Sequence, residues 1–180
     1  MSFANGIKHF KTITHHRHLV MKYCFKAGMY KQGLLHDLSK YSPSEFFVGA
    51  KYYLGTRSPN DAERRDIGYS SAWLHHKGRN KHHYEHWTDY IVGSPRGTVG
   101  PVPMPKKYIA EMFCDRVAAC RTYHRDEYQS TMPLEYYNGA KDHMLIHPDT
   151  KADLEMLLNM CFEKGEDATL KFIKNEYLKK

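Results

Sequence analysis

A histidine–aspartate pair, His36-Asp37, directly follows two leucines and is followed by Lys40. The pair and the lysine are close enough in sequence to share one side of a helix. Imidazole nitrogen and carboxylate oxygen together suit a hard or borderline divalent cation. Adjacent residues on a helix point about 100° apart, so both can bind one ion only near a helix end or a cavity edge. Leu34 and Leu35 predict that this segment is partly buried. The pair therefore predicts a metal site whose other ligands come from distant segments.

Three upstream histidines compete for the first of these ligand positions. His16 precedes Val20 by four residues and Cys24 by eight, which places it on an apolar helical stripe. His15 and His18 share a different and more polar side of the same helix. His16 is therefore the predicted ligand, and His18 is the next candidate.

Asp115 is the most diagnostic carboxylate downstream. It follows helical spacing with Tyr108 and Met112, so it lies on an otherwise apolar stripe. A buried carboxylate is costly unless a cation or hydrogen-bond donors compensate it. Arg116 and Arg121 point away from Asp115 at their spacing, so a metal is the favoured partner.

A second histidine-rich segment covers residues 73–87. Trp73 and His76 share a helical face, so we expect His76 to point inward and His75 to be more exposed. The segment is interpreted as holding ligands of a second metal or groups that bind phosphate, and a basic solvated helix end is the alternative. The phosphate-binding candidates are Lys40, His76, Arg79, His82 and His83, with Lys77 and Lys81 beside them.

Helical spacing dominates the chain and convincing alternating strands are absent, which predicts an all-α fold. At 180 residues the chain suits one domain, with a metal-site core at about 10–125 and a helical extension at about 130–180. Glycines and prolines exclude a helix over 91–105 and predict a loop there, either a lid or a plain connector. The predicted helices cover about residues 3–27, 30–39, 42–55, 60–77, 105–123, 133–141, 150–164 and 168–179.

The net charge of +7 favours an anionic partner, either a small phosphorylated molecule or nucleic acid. Its basic residues are spread out, which makes nucleic acid the weaker alternative. No segment approaches the roughly 20 apolar residues of a membrane helix, so we expect no membrane partner and a cytoplasmic location. We expect reduced, buried thiols because the cysteines lie in apolar helix-like stretches without CxxC spacing; they are Cys24, Cys114, Cys120 and Cys161.

The motif Leu-Leu-His-Asp-Leu-Ser-Lys at 34–40 resembles the central motif of the HD-domain superfamily, the helical metal-dependent phosphohydrolases. Cys-Asp-Arg-Val-Ala-Ala at 114–119 is similar to the late motif of that superfamily. The resemblance covers about residues 10–125 and departs from the HD-GYP type, because a Gly-Tyr-Pro motif is absent. The full chain also resembles an uncharacterised bacterial group of HD-like proteins that carry the stretch Trp-Leu-His-His-Lys-Gly-Arg-Asn-Lys-His-His.

The resemblance implies an HD-like helical bundle with extra C-terminal helices and a divalent metal, which could be Mn, Fe, Co, Ni, Mg or Zn. One ion is favoured, and a second ion held by His76 and His83 is the alternative. The residues that would hold the first ion are His16, His36, Asp37 and Asp115.

The implied function is hydrolysis of a nucleotide or another small phosphate ester by a metal-activated water. Asp37, Lys40, His76 and His83 are the predicted catalytic residues. Two alternatives stay open. The order of the ligands also resembles the HD-type di-iron oxygenases, and the fold could serve as a catalytically silent module that binds a nucleotide.

Overall fold

The computed structural model describes residues 2–179, and its regular structure is almost entirely helical. The prediction of an all-α fold is confirmed. Within the described range no helix combines the length and the apolar character needed to cross a membrane. The helices are α1 Phe3–Lys26, α2 Tyr30–Leu35, α3 Pro43–Lys51, α4 Pro59–Ile67, α5 Ser71–Arg79, α6 Lys106–His124, α7 Met132–Asn138 and α8 Pro148–Asn175.

The single helix predicted over 60–77 is wrong, because this segment forms two helices. Helix α4 ends at Gly68, whose φ of 85° is left-handed and costs glycine little. Helix α5 then begins after Ser70, whose side chain accepts a hydrogen bond from the backbone N–H of Trp73. The buried carboxylate of Glu63 accepts hydrogen bonds of 2.6 Å from the hydroxyls of Ser70 and Ser71. This corner fixes the direction in which α5 carries its histidines.

A short β-hairpin that was not predicted begins just before the segment predicted as a loop and ends within it. Strands β1 Thr88–Tyr90 and β2 Val99–Pro101 pair antiparallel, with Asp89 opposite Gly100. Strands of three residues are too short to give an alternating pattern that sequence reasoning could detect. Gly93 and Gly97 adopt positive φ in the connection between the strands, which explains why glycines occur there.

Helices α2, α3 and α7 end three or four residues earlier than predicted, and the break predicted in the C-terminal region is present. Helix α2 ends at Leu35 rather than at Ser39, because His36 adopts an extended backbone with φ of −52° and ψ of 128°. Helix α3 ends at Lys51 rather than near Gly55. The predicted break in the C-terminal region is a kink inside α8, where Gly165 has φ of 80° and ψ of 172°.

The hydrophobic core lies where α6 packs against α1 on one side and α8 on the other. Burying a large aliphatic side chain contributes roughly 1.5–3 kcal/mol, so this layer fixes the positions of the three helices. The four cysteines are buried and free, as predicted. Fully buried members of the core are Val20 and Cys24 of α1, Phe113 and Val117 of α6, and Leu154, Leu157 and Leu158 of α8.

Candidate metal centre

The His36-Asp37 pair lies between the end of α2 and a 3-10 turn at Leu38–Tyr41. Asp37 adopts a left-handed backbone with φ of 53°, which aspartate tolerates better than most residues. Both side chains therefore turn inward, and their residues are only 2% and 1% exposed. The expected position at a helix end is confirmed. The reason given for burial was wrong, because Leu34 and Leu35 are 52% and 55% exposed.

Four predicted ligands converge in a first group, which we call cluster 1: His16, His36, Asp37 and Asp115. The Nε2 of His16 lies 2.9 Å from Oδ1 of Asp115. The Nε2 of His36 lies 3.2 Å from Oδ2 of Asp37 and 3.5 Å from Oδ1 of Asp115. The structure brings His16 into this cluster, whereas His15 and His18 are exposed. His16 and Asp115, which are about 100 residues apart in sequence, meet because α1 packs on α6.

A second group, cluster 2, consists of Asp37, His76, His82 and His83. The Nε2 of His76 lies 3.2 Å from Oδ1 of Asp37 and 2.8 Å from Nε2 of His83. The Nε2 of His82 lies 3.4 Å from the same Oδ1. His76 is buried and His75 is more exposed, as the spacing predicted. Asp37 therefore directs Oδ2 toward cluster 1 and Oδ1 toward cluster 2.

Five inward-facing atoms of the two clusters are buried without satisfactory hydrogen bonds. Leaving such atoms unsatisfied is costly, and native proteins pair almost all of them. These atoms lie 2.9–3.5 Å from their nearest neighbours in the clusters, and Lys40 pairs with Oδ2 of Asp37, but none of these contacts has the geometry of a good hydrogen bond. A set of imidazole nitrogens and carboxylate oxygens is the donor set of divalent transition metals, so the residues fit a cation. The atoms concerned are Nε2 of His16, His36 and His82, and both carboxylate oxygens of Asp37.

Glu111 is a buried member of the site that sequence reasoning missed. Its Oε1 lies 3.0 Å from Nδ1 of His36 and 3.3 Å from Nδ1 of His82. Glu111 precedes Asp115 by one helical turn on α6, so both acids share one face of the helix. The spacing could have identified Glu111, because a second acid on the apolar face of Asp115 also needs a partner when it is buried.

Glu45 is the second buried acid that was missed, because Ser42-Pro43-Ser44-Glu45 was interpreted as a capped helix start. Helix α3 does begin at Pro43, but the side chain of Ser42 makes no capping hydrogen bond. The carboxylate of Glu45 instead contacts Nδ1 of His75 at 2.6 Å and Nδ1 of His76 at 2.7 Å. Glu45 therefore supports cluster 2 from outside.

The carboxylates of the centre are ionised. Burial raises the pKa of Asp37, but the positive charges of His36 and Lys40 lower it by more, so the pKa lies well below its usual range. Burial likewise opposes ionisation of Asp115, and the close imidazoles of His16 and His36 outweigh it and hold this pKa well below its usual range. Ionised carboxylates are the form that binds a metal.

The histidines divide into two groups by protonation. Burial lowers the pKa of His16, and the nearby charge of Lys40 lowers it further. Burial and the neighbouring imidazoles lower the pKa of His83 well below its usual range. Burial also opposes protonation of His36, but the carboxylate of Asp37 outweighs it and leaves this pKa well above its usual range. His16 and His83 are thus neutral, the form in which imidazole can bind a cation, whereas His36 would have to lose a proton before it could do so.

The predicted phosphate-binding residues are not all brought to the site. Lys40 is, because its Nζ lies 2.6 Å from Oδ2 of Asp37 while 29% of its side chain stays exposed. His76, His82 and His83 lie in cluster 2. Arg79 does not join them: it is exposed and donates a hydrogen bond of 3.4 Å to the backbone carbonyl of His75. The basic residues of this segment therefore lie mainly on its outer side.

The sequence matches a family model described as a family of unknown function, DUF5662, over residues 5–160. No curated protein and no solved structure matches the chain. The resemblance to the HD-domain superfamily stays a prediction.

Proposed function

The chain belongs to this family of unknown function, and from its buried centre we propose that it is a metal-dependent phosphohydrolase of the HD-domain type. The observation that carries the proposal is the convergence of unsatisfied imidazole nitrogens and carboxylate oxygens on both sides of Asp37. Four segments that are distant in sequence supply the residues of the two clusters. The proposed substrate is a nucleotide or another small phosphate ester.

The residues of cluster 1 would hold one divalent cation, and those of cluster 2 would hold a second. When bound, such a cation supplies a Lewis acid and lowers the pKa of a water to near neutrality. Asp37 would serve both positions, because its two oxygens face different clusters. This sharing supports two ions over the single ion that the sequence favoured.

Lys40 and His83 are the proposed contacts to the substrate phosphate. Lys40 carries a full positive charge, because Asp37 and Asp115 raise the pKa of its ammonium more than burial lowers it. Its side chain is partly exposed, so a phosphate that enters from solvent can reach it. His83 is also partly exposed, at the edge of cluster 2. Both would neutralise charge that develops on the phosphate or on the leaving group.

The experiment is a phosphate-release assay on a broad panel of phosphate esters, with the protein loaded in turn with Mn, Co, Fe, Ni, Mg and Zn. We expect turnover of at least one small ester and its loss in Asp37→Asn. A matched control is Asp61→Asn, a partly exposed acid of α4 outside the clusters. An inert panel with every metal would contradict the proposal, and tight nucleotide binding without product would identify a silent binding module instead. Binding of nucleic acid would show as a steep loss of affinity with rising salt.

A di-iron oxygenase is the second candidate, because the arrangement around Asp37 also suits two irons. The favouring observation is that its two oxygens face different imidazole groups, His36 on one side and His76 on the other. Protein purified without chelator would then contain two irons per chain and give a mixed-valent electron paramagnetic resonance signal. Colourless protein that releases phosphate would exclude this alternative.

A further inference from the structure

Glu111 contacts one histidine from each cluster. Its Oε1 lies 3.0 Å from Nδ1 of His36, a member of cluster 1, and 3.3 Å from Nδ1 of His82, a member of cluster 2. The two imidazoles lie beside each other, with ring centroids 4.3 Å apart. All three residues are buried, so water does not compete for these contacts. One carboxylate oxygen therefore supports both halves of the centre.

Glu45 has the same kind of contact but reaches only one cluster. Its carboxylate lies 2.7 Å from Nδ1 of His76, and its other oxygen lies 2.6 Å from Nδ1 of His75, which belongs to neither cluster. The chain thus offers an internal comparison. Both glutamates are buried acids that face an Nδ1 atom, and they differ in the number of clusters that they touch.

The chemistry of imidazole explains why these contacts matter. A neutral imidazole carries its proton on either Nδ1 or Nε2, and only the bare nitrogen can bind a metal. A carboxylate that accepts a hydrogen bond from Nδ1 holds the proton there, fixes the ring and leaves the Nε2 lone pair free. In His36 and in His82 it is Nε2 that faces Asp37.

We propose that Glu111 is a positioning residue shared by both clusters, which sets the tautomer and orientation of His36 and His82 and thereby couples the two cation positions. This inference rests on the metal centre of the proposed function but not on the reaction. Removing Glu111 should weaken both positions, whereas removing Glu45 should weaken cluster 2 alone. Loss of such an outer contact lowers metal affinity by about 10- to 100-fold.

The experiment compares the full-length wild-type protein with Glu111→Gln and Glu45→Gln in titrations with Co²⁺ against a chromophoric chelator. We expect two binding constants in the wild type, both weakened by about 10- to 100-fold in Glu111→Gln. Glu45→Gln should weaken only one of them. Unchanged affinities in Glu111→Gln, or weakening of a single constant, would overturn the proposal.

A second measurement does not depend on metal or on activity. Nitrogen-15 NMR of the metal-free wild-type protein reports which imidazole nitrogens carry protons. His36 carries protons on both nitrogens in the metal-free protein because its pKa is raised, so the tautomer is read on His82, where we expect a proton on Nδ1. A bare Nδ1 on His82 would overturn the inference even if the protein hydrolysed phosphate esters. Conversely, the correct tautomer of His82 and coupled Co²⁺ binding without any turnover would leave the inference intact and defeat the phosphohydrolase proposal.

Discussion

The ammonium of Lys40 lies 2.6 Å from Oδ2 of Asp37, an oxygen that also faces cluster 1. Lys40 thus neutralises this buried carboxylate when no cation does. We expect Lys40→Met to lower the free energy of unfolding of the metal-free protein by about 2 kcal/mol, since a buried charge loses its partner. A divalent cation would replace that charge, so Mn²⁺ should raise Tm more in the variant than in the wild type. Thermal denaturation with and without Mn²⁺ measures both effects.

Lys31→Met is the matched control, because Lys31 is exposed on α2 and forms no ion pair in the described residues. It should change the unfolding free energy by no more than about 0.5 kcal/mol. Equal Mn²⁺-induced shifts in Lys40→Met and the wild type would show that Lys40 does not act as the counter-charge.

Replacing the two aspartates should affect ion content differently. Asp37 belongs to both clusters, whereas Asp115 belongs only to cluster 1. At limiting free metal we therefore expect Asp37→Asn to lose both ions and Asp115→Asn to retain the ion of cluster 2. Elemental analysis after dialysis gives the stoichiometry, and circular dichroism checks that each variant is folded. Full occupancy in folded Asp37→Asn would refute the shared ligand.

His9 should make the fold sensitive to acid. It is buried beside Phe46 and Tyr53, and its Nδ1 has no hydrogen-bond partner. Burial, helped by the charge of Lys40, lowers its pKa from 6.5 to about 4. Between these values the unfolded chain binds the proton more readily, so the stability that His9 contributes is complete above 6.5 and is lost as pH falls toward 4.

The test is His9→Phe, which removes this titration and keeps a ring in the site. As the pH falls from 6.5 to about 4, the wild type should lose more unfolding free energy than the variant. The difference should be at most about 1.4 kcal/mol per pH unit. Urea denaturation of both metal-free proteins at several pH values measures the difference. Parallel pH profiles would mean that the buried ring of His9 does not titrate as described.

Gly49 allows α3 to approach α1 closely. A Cβ at this position would overlap the imidazole of His9, which is itself buried. We expect Gly49→Ala to destabilise the protein by about 1–3 kcal/mol through overpacking, despite the better helix propensity of alanine. Gly6→Ala is the control, because a Cβ there meets no atom within 4 Å and should be neutral or stabilising by up to about 1 kcal/mol. Urea denaturation measures the unfolding free energy of both variants. Equal values for Gly49→Ala and Gly6→Ala would contradict the close approach of the two helices.

The sequence predicted the residues of the two clusters better than their surroundings. His16 and Asp115 could be found because each interrupts an apolar helical stripe, and burial of a polar group there demands a partner; His36 was found through its pairing with Asp37. Glu111 satisfied the same criterion and was overlooked beside Asp115. Glu45 could not be found this way, because its position fits a helix cap equally well and only the path of α5 brings His76 to it.

The errors in the fold have similar causes. Periodicity does not register a break as short as Gly68–Ser70, so α4 and α5 were joined. Leu34 and Leu35 were assigned to the interior because they are apolar, yet an apolar residue next to a buried pair can face solvent. Arg79 was placed near the phosphate by its neighbours in sequence, but helix geometry directs it outward.

The left-handed backbone at position 37 restricts which side chains that position can accept. Most residues would add strain at a φ of 53°, whereas glycine and asparagine adopt it readily. Asparagine also matches the shape of aspartate while removing its charge. A saturation library at this position should therefore separate folding from ion binding in a single replacement, with the amide variant folded but less stable, because Lys40 loses its partner, and bulky β-branched variants poorly expressed.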